Sequence, residues 1–105
     1  MILAYTAEQV RAAEKPMLAA ESGYPGSLME RASFALAVRC ARWLRERRGK
    51  VVGARVVALV GTGNNGGDAL HAGARLARRG AVVDAVLLAP DKAHAGGLGA
   101  FRAAG

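Results

Sequence analysis

Four glycines at positions 61, 63, 66 and 67 interleave with two asparagines and an aspartate, in the run Gly61-Thr62-Gly63-Asn64-Asn65-Gly66-Gly67-Asp68. Glycine admits positive φ and lets a ligand come close to the backbone. If the run joins a strand to a helix, its free N–H groups and the helix dipole favour an anion, typically phosphate. The spacing satisfies G-x-G-x-x-G from Gly61, but the acid usual some twenty residues on in dinucleotide folds is represented only by Asp84 or Asp91. No Gly-Lys-Ser/Thr follows, so the run is not a Walker loop. Asn64 and Asn65 tolerate tight turns, and their amide oxygens could ligate a cation or hold a ribose hydroxyl. Asp68 could be a helix cap, and turn chemistry alone is the plainer account of the whole run. Three coincident features at one strand-to-helix turn favour a binding site.

Other reactive side chains offer less. His71 falls one turn into the following helix without a paired carboxylate, which fits a surface or packing role. His94 has no ligand partner at metal-binding spacing and is assigned nothing. The single cysteine, Cys40, cannot form an internal disulfide and lies in an apolar helical run, as a structural thiol would.

The elements that must hold the glycine run are legible around it. Residues 55–60, Arg-Val-Val-Ala-Leu-Val, lack polar alternation, as in a parallel strand buried on both faces. A helix is expected from Asp68 to Arg79, with Leu70, Ala74 and Ala77 inward and Gly80 as its stop. A second strand follows over 82–88, and a further helix over 97–104. Upstream, Thr6 and Gln9 form a capping box for a helix to about Ala20, which Pro16 should kink or split. Gly23, Pro25 and Gly26 break the chain. Ser27 then caps a longer helix whose apolar stripe is Met29, Ala32, Leu36, Cys40 and Trp43, ending near Arg48-Gly49. Strand, turn, helix and strand make one βαβ unit. Two strands alone leave open edges, so the pattern reads as the first half of a doubly wound domain.

Composition bounds the function. Hydrophobic residues make up 52% of 105 and aromatics only 5%, which suits one folded domain with closely packed small residues. No stretch approaches the ~20 apolar residues of a membrane span, and the N-terminus lacks a signal-peptide pattern. The cytoplasm is the expected compartment. The net charge is +7, from 15 basic and 8 acidic residues. Arg39, Arg42, Arg45, Arg47, Arg48 and Lys50 crowd one helix end, where cations complement the dipole. That reading, and the want of interleaved exposed aromatics, argues against nucleic acid as a partner.

The run Gly63-Asn64-Asn65-Gly66-Gly67-Asp68, after a Val-rich strand and before Ala-Arg-Leu-Ala-Arg-Arg-Gly, resembles the YjeF N-terminal domain family of NAD(P)H-hydrate epimerases. Leu28-Met29-Glu30-Arg31-Ala32 and Thr6-Ala7-Glu8-Gln9 resemble that family's two N-terminal helices. The resemblance implies a Rossmann-like three-layer α/β/α fold with a parallel sheet. Residues 1–105 would be its N-terminal half, truncated, with two helices preceding the βαβ unit. It implies epimerisation of the R and S forms of hydrated NADH and NADPH, the damaged cofactor then being restored by a fused or separate dehydratase. Asn64, Asn65, Gly66, Gly67 and Asp68 would contact the hydrate, and Asn65 would also ligate a potassium ion. The family is commonly dimeric. Its catalytic aspartate, second glycine-rich loop and further potassium ligands belong to a later half, so the catalytic group is expected beyond Gly105. Two rival readings remain: a non-catalytic scaffold or RNA-associated module using the basic cluster, and a fragment of a Rossmann-type oxidoreductase.

Overall fold

The computed structural model describes residues 4–19 and 27–105. In chain order the elements are α1 (Ala7–Ala19), α2 (Ser27–Arg48), β1 (Arg55–Val60), α3 (Gly63–Arg78), β2 (Val82–Leu87), a 3-10 turn (Pro90–Lys92) and α4 (Ala95–Ala103). The expected chain break at 21–26 lies outside the described residues, as does any cap on Ser27.

The capping box forms as expected. The Thr6 N–H donates to Gln9 Oε1 at 2.9 Å, and the Gln9 N–H donates to Thr6 Oγ1 at 3.1 Å. The helix it starts passes Pro16 without a break, so the expected split does not occur. Glycine stops also fall where expected. Gly49 (φ +81) follows α2 and Gly80 (φ +99) follows α3, and both conformations cost an L side chain dearly.

α2 turns a different face inward from the one its periodicity suggests. Leu36 is 42% and Trp43 53% exposed, whereas Ser33, Ala37, Ala41 and Leu44 are buried. The inward face is rotated by one residue, about 100° on a helix of 3.6 residues per turn. Apolar side chains surround much of α2, so hydrophobicity alone does not choose a face; size does. Ser33, Ala37 and Ala41, four residues apart, let α3 approach closely, and Ala72 and Leu76 of α3 join Ala37, Ala41 and Leu44 in one core with Val51 and Ala81. Ser33 tolerates burial because its hydroxyl donates to the Glu30 carbonyl at 3.0 Å. Two exposed aromatics of α2, Trp43 and Phe34, carry arginines instead. The Arg47 guanidinium lies 5.5 Å from the Trp43 ring centre and that of Arg75 lies 5.2 Å from Phe34.

β1 and β2 pair in parallel, Arg55 opposite Val82 through Val60 opposite Leu87, as the βαβ reading requires. α3 packs on both strands and is flanked by α2 and α4. Its Leu70 is wholly buried, a burial that stabilises by roughly 2–3 kcal/mol. The expectation that the strands are covered on both sides is corrected. Val56, Ala58, Val83 and Ala85 point to the covered side, while Val57, Leu59, Val82 and Val86 are between 46% and 69% exposed. The described residues thus form an α/β arrangement with one helical layer on a two-stranded parallel sheet.

Candidate functional site

β1 ends at Val60, whose side chain is completely buried. The chain then has only Gly61 and Thr62 in which to enter α3. Gly63, at the helix start, has φ +72, a turn that glycine makes cheaply. The helix begins five residues before the expected Asp68, so Asn64, Asn65, Gly66, Gly67 and Asp68 are its opening turns rather than a loop. Asparagine and glycine are weak helix formers, which is why sequence alone placed the start too late; tertiary contacts at Gly66 and Gly67 hold the turn.

Thr62 occupies the N-cap in extended backbone (φ −88, ψ 162) and its side chain makes no capping bond. Among the described residues no side chain caps the first N–H groups of α3, which lie at the carboxyl end of β1, where open α/β sheets bind ligands. Asn64 and Asn65 are exposed beside them.

Gly66 and Gly67 are buried, and their lack of a side chain is explained inside the chain. A Cβ on Gly66 would overlap the Gly61 carbonyl oxygen; one on Gly67 would lie 2.9 Å from His94 Cγ and 3.0 Å from the Met29 thioether. Gly97 of α4 meets Gly67 in turn, with a Cβ there 3.3 Å from the Gly67 Cα. Two glycines thus let the starts of α3 and α4 touch.

Asp68 lies partly buried at the end of this turn. Its Oδ1 is buried and, among the described residues, has no hydrogen-bond partner, an expensive condition for a carboxylate. Burial, and then the charge of Glu14, push the Asp68 carboxyl up, with His71 and His94 opposing. His71 is pushed down by burial first, then by His94 and Arg75, against Asp68 and Glu30. The two imidazoles meet edge to face at 6.1 Å.

His94, to which the sequence reading gave no role, caps α4. Its Nδ1 accepts the Gly97 N–H at 2.9 Å, and α4 starts at Ala95 rather than Gly97. Histidine is outside the usual N-cap set, so no composition signal marks it. The bond also makes Nδ1 an acceptor, leaving Nε2 to carry the proton of the neutral ring.

A stability profile follows from these shifts. The folded chain keeps the Asp68 proton after the unfolded chain has released it above pH 3.8. This contribution to stability therefore falls as pH climbs from 3.8 through the raised folded value. His71 acts oppositely: its contribution is complete above 6.5 and is lost as pH falls from 6.5 through the lowered folded value. Urea midpoints of Asp68→Asn across acid pH are expected to lose the first slope. An unchanged slope in that variant would refute the assignment.

Among the described residues no group of three or more His, Cys, Asp or Glu side chains is placed to hold a metal ion. A potassium ion makes a different demand, since a neutral amide oxygen suits it. Asn65 is exposed and carries an oxygen of that kind.

Residues 25–98 match the sequence profile of the YjeF-related protein N-terminus. The chain belongs to this family. As a YjeF N-terminal chain it is 54% identical over 101 residues to the bifunctional NAD(P)H-hydrate repair enzyme Nnr of Mycobacterium tuberculosis, covering 96% of this chain and 21% of that protein. It is 52% identical over 101 residues to the Mycobacterium leprae protein of the same name, with the same coverage. It is 46% identical over 104 residues to the NAD(P)H-hydrate epimerase of Microbacterium testaceum, covering 99% of this chain and 37% of that one. The chain thus spans between about a fifth and two fifths of the length of these relatives. No solved structure matches it significantly. None of the helices among the described residues is long and apolar enough to cross a membrane.

Proposed function

We propose that residues 1–105 are the ligand-holding part of a YjeF N-terminal domain that epimerises the R and S forms of hydrated NADH and NADPH in cofactor repair. The observation that carries the reading is the start of α3 at the carboxyl end of β1, uncapped by any side chain among the described residues, with Asp68 Oδ1, unpartnered among those residues, one turn further on. Close relatives named for this activity support it.

In this reading the α3 N–H groups donate hydrogen bonds to a phosphate of the hydrate. The Asn64 and Asn65 amides orient ribose hydroxyls. Asp68 takes a ligand hydroxyl as the partner that its Oδ1 lacks, and Gly66 and Gly67 keep the turn tight. Asn65 would hold a potassium ion, which when bound supplies fixed positive charge beside the phosphates. The acid–base group at the hydrated nicotinamide carbon lies outside these residues. By likeness to the bifunctional relatives, the partner activity is a dehydratase, fused or separate. A cytoplasmic homodimer is the proposed assembly.

The test is calorimetric titration of the chain with hydrated NADPH in potassium and in sodium chloride. Asn65→Ala is expected to weaken binding roughly tenfold, the worth of a lost hydrogen bond or ion contact at a charged ligand, and to erase the difference between the salts. Equal affinity of parent and variant in both salts would sink the reading of Asn65. Failure of the parent to bind the hydrate at all would sink the function.

A further inference from the structure

At the opposite end of the sheet lies a cavity that the proposed function does not use. It has a volume of about 470 Å³ and is lined by Arg48, Lys50, Val52, Gly53, Ala54 and Arg55. Arg48 is the last residue of α2 and Arg55 the first of β1. A six-residue strand separates it from the start of α3, about 17–20 Å at the usual rise. Ligands of open α/β sheets ordinarily bind at the carboxyl ends of strands, so occupancy here would be a second site.

The charge at this end is uncompensated. Three cations line the cavity and no acid does. Among the described residues, the ion pair is elsewhere, between Arg75 and Glu30 at 3.4 Å. Arg45 and Arg47 stand in the last turn of α2 and Arg78 closes α3, adding to the same field. The helix dipole explains cations on those last turns. It does not explain Lys50 and Arg55, which lie beyond the helix. Like charges around a concave wall focus potential and concentrate counter-ions.

The wall is also held in place. The Gly53 N–H donates to the Gly80 carbonyl at 2.8 Å, Ala54 N–H to Val51 at 3.0 Å, and Val82 N–H to Ala54 at 2.8 Å. Gly53 adopts φ +80, and Val51 is buried in the core. The loop therefore need not be ordered on binding, which spares an entropic cost.

We propose that this cavity, formed by Arg48, Lys50, Arg55 and the pinned loop between them, binds a compact polyphosphate. Arginine forks take phosphate oxygens bidentately, and lysine serves as a point charge between them. The three cations, within a stretch of eight residues, line one concavity, which suits a small polyanion rather than a polymer that needs an extended track.

The experiment is amide chemical-shift mapping of the ¹⁵N-labelled chain titrated with inorganic triphosphate at low ionic strength. Saturable shifts at Val52, Gly53, Ala54 and Arg55 are expected. Lys50→Gln and Arg55→Gln should each weaken binding roughly tenfold, as loss of a charge-assisted contact does. Arg39→Gln, an exposed cation of α2 outside the cavity, should have far less effect. Shifts confined to Asn64, Asn65 and Gly66 would overturn the proposal, as would equal weakening by Arg39→Gln. Tighter, length-dependent binding of a single-stranded oligonucleotide would also overturn it, in favour of a polymer surface.

Discussion

Gly66→Ala is expected to destabilise the chain by about 3 kcal/mol, at the upper end of what overpacking costs. The reason is what the new methyl would strike. Its Cβ would overlap the Gly61 carbonyl oxygen and lie 2.9 Å from the Gly61 carbonyl carbon and 3.4 Å from Val60 Cγ1. The first two are backbone atoms at the end of β1 and cannot rotate aside. Either the first turn of α3 lifts from the strand or the strand end moves, and each displaces the N–H groups proposed to meet phosphate. Ligand affinity should therefore fall along with the urea midpoint. Gly63→Ala is the comparison. There the space is open, with nothing within 4 Å, and only φ +72 is at stake. Its cost should be about 1–2 kcal/mol, the penalty of left-handed backbone for an L residue. If Gly63→Ala proved the more damaging, the close approach of Gly66 to Gly61 would not be what holds the turn.

The second large effect concerns the open side of the sheet. Val57 is 64%, Leu59 69% and Leu88 68% exposed, with Val82 and Val86 nearly half exposed beside them. Leu59 stands opposite Val86 in the register, so the apolar surface is continuous across both strands. Contiguous apolar patches of this kind drive association, and each strand of a two-stranded sheet also presents an unpaired edge. The 105-residue chain is expected to sediment as a concentration-dependent oligomer. Leu59→Lys with Val86→Lys should return it to a monomer while moving its thermal midpoint little, because exposed substitutions usually change stability by less than about 0.5 kcal/mol each. A monomeric parent at every concentration would contradict this.

Sequence patterning carried much of the fold and less of the site. The strand at 55–60 was legible because β-branched residues run without alternation, and the helix stops at Gly49 and Gly80 because positive φ leaves few other choices. The inward face of α2 was not legible. Its apolar residues lie on nearly all sides, and the decision rests on the small volumes of Ser33, Ala37 and Ala41 against α3, a property of the partner helix. For the glycine run, residue types indicated a strand-to-helix junction, and the structure has one. They did not separate glycines that could admit a ligand from glycines that admit the protein itself. Gly66 and Gly67 belong to the second kind, which is visible only once Gly61, His94 and Met29 are placed around them. The acceptor role of His94 was hidden because no local pattern marks histidine as a cap.

Trp43 is the chain's one tryptophan, and it stands about half exposed on the outer side of α2 beneath Arg47. An indole already in contact with water changes environment little when the fold is lost. Its emission should consequently be a dull gauge of unfolding, and melts followed by that signal alone would understate the transition. The same placement makes it a sensitive optical tag for anything that docks over α2. A blue shift there, without a change in circular dichroism, would report a neighbour's arrival rather than a rearrangement within the chain.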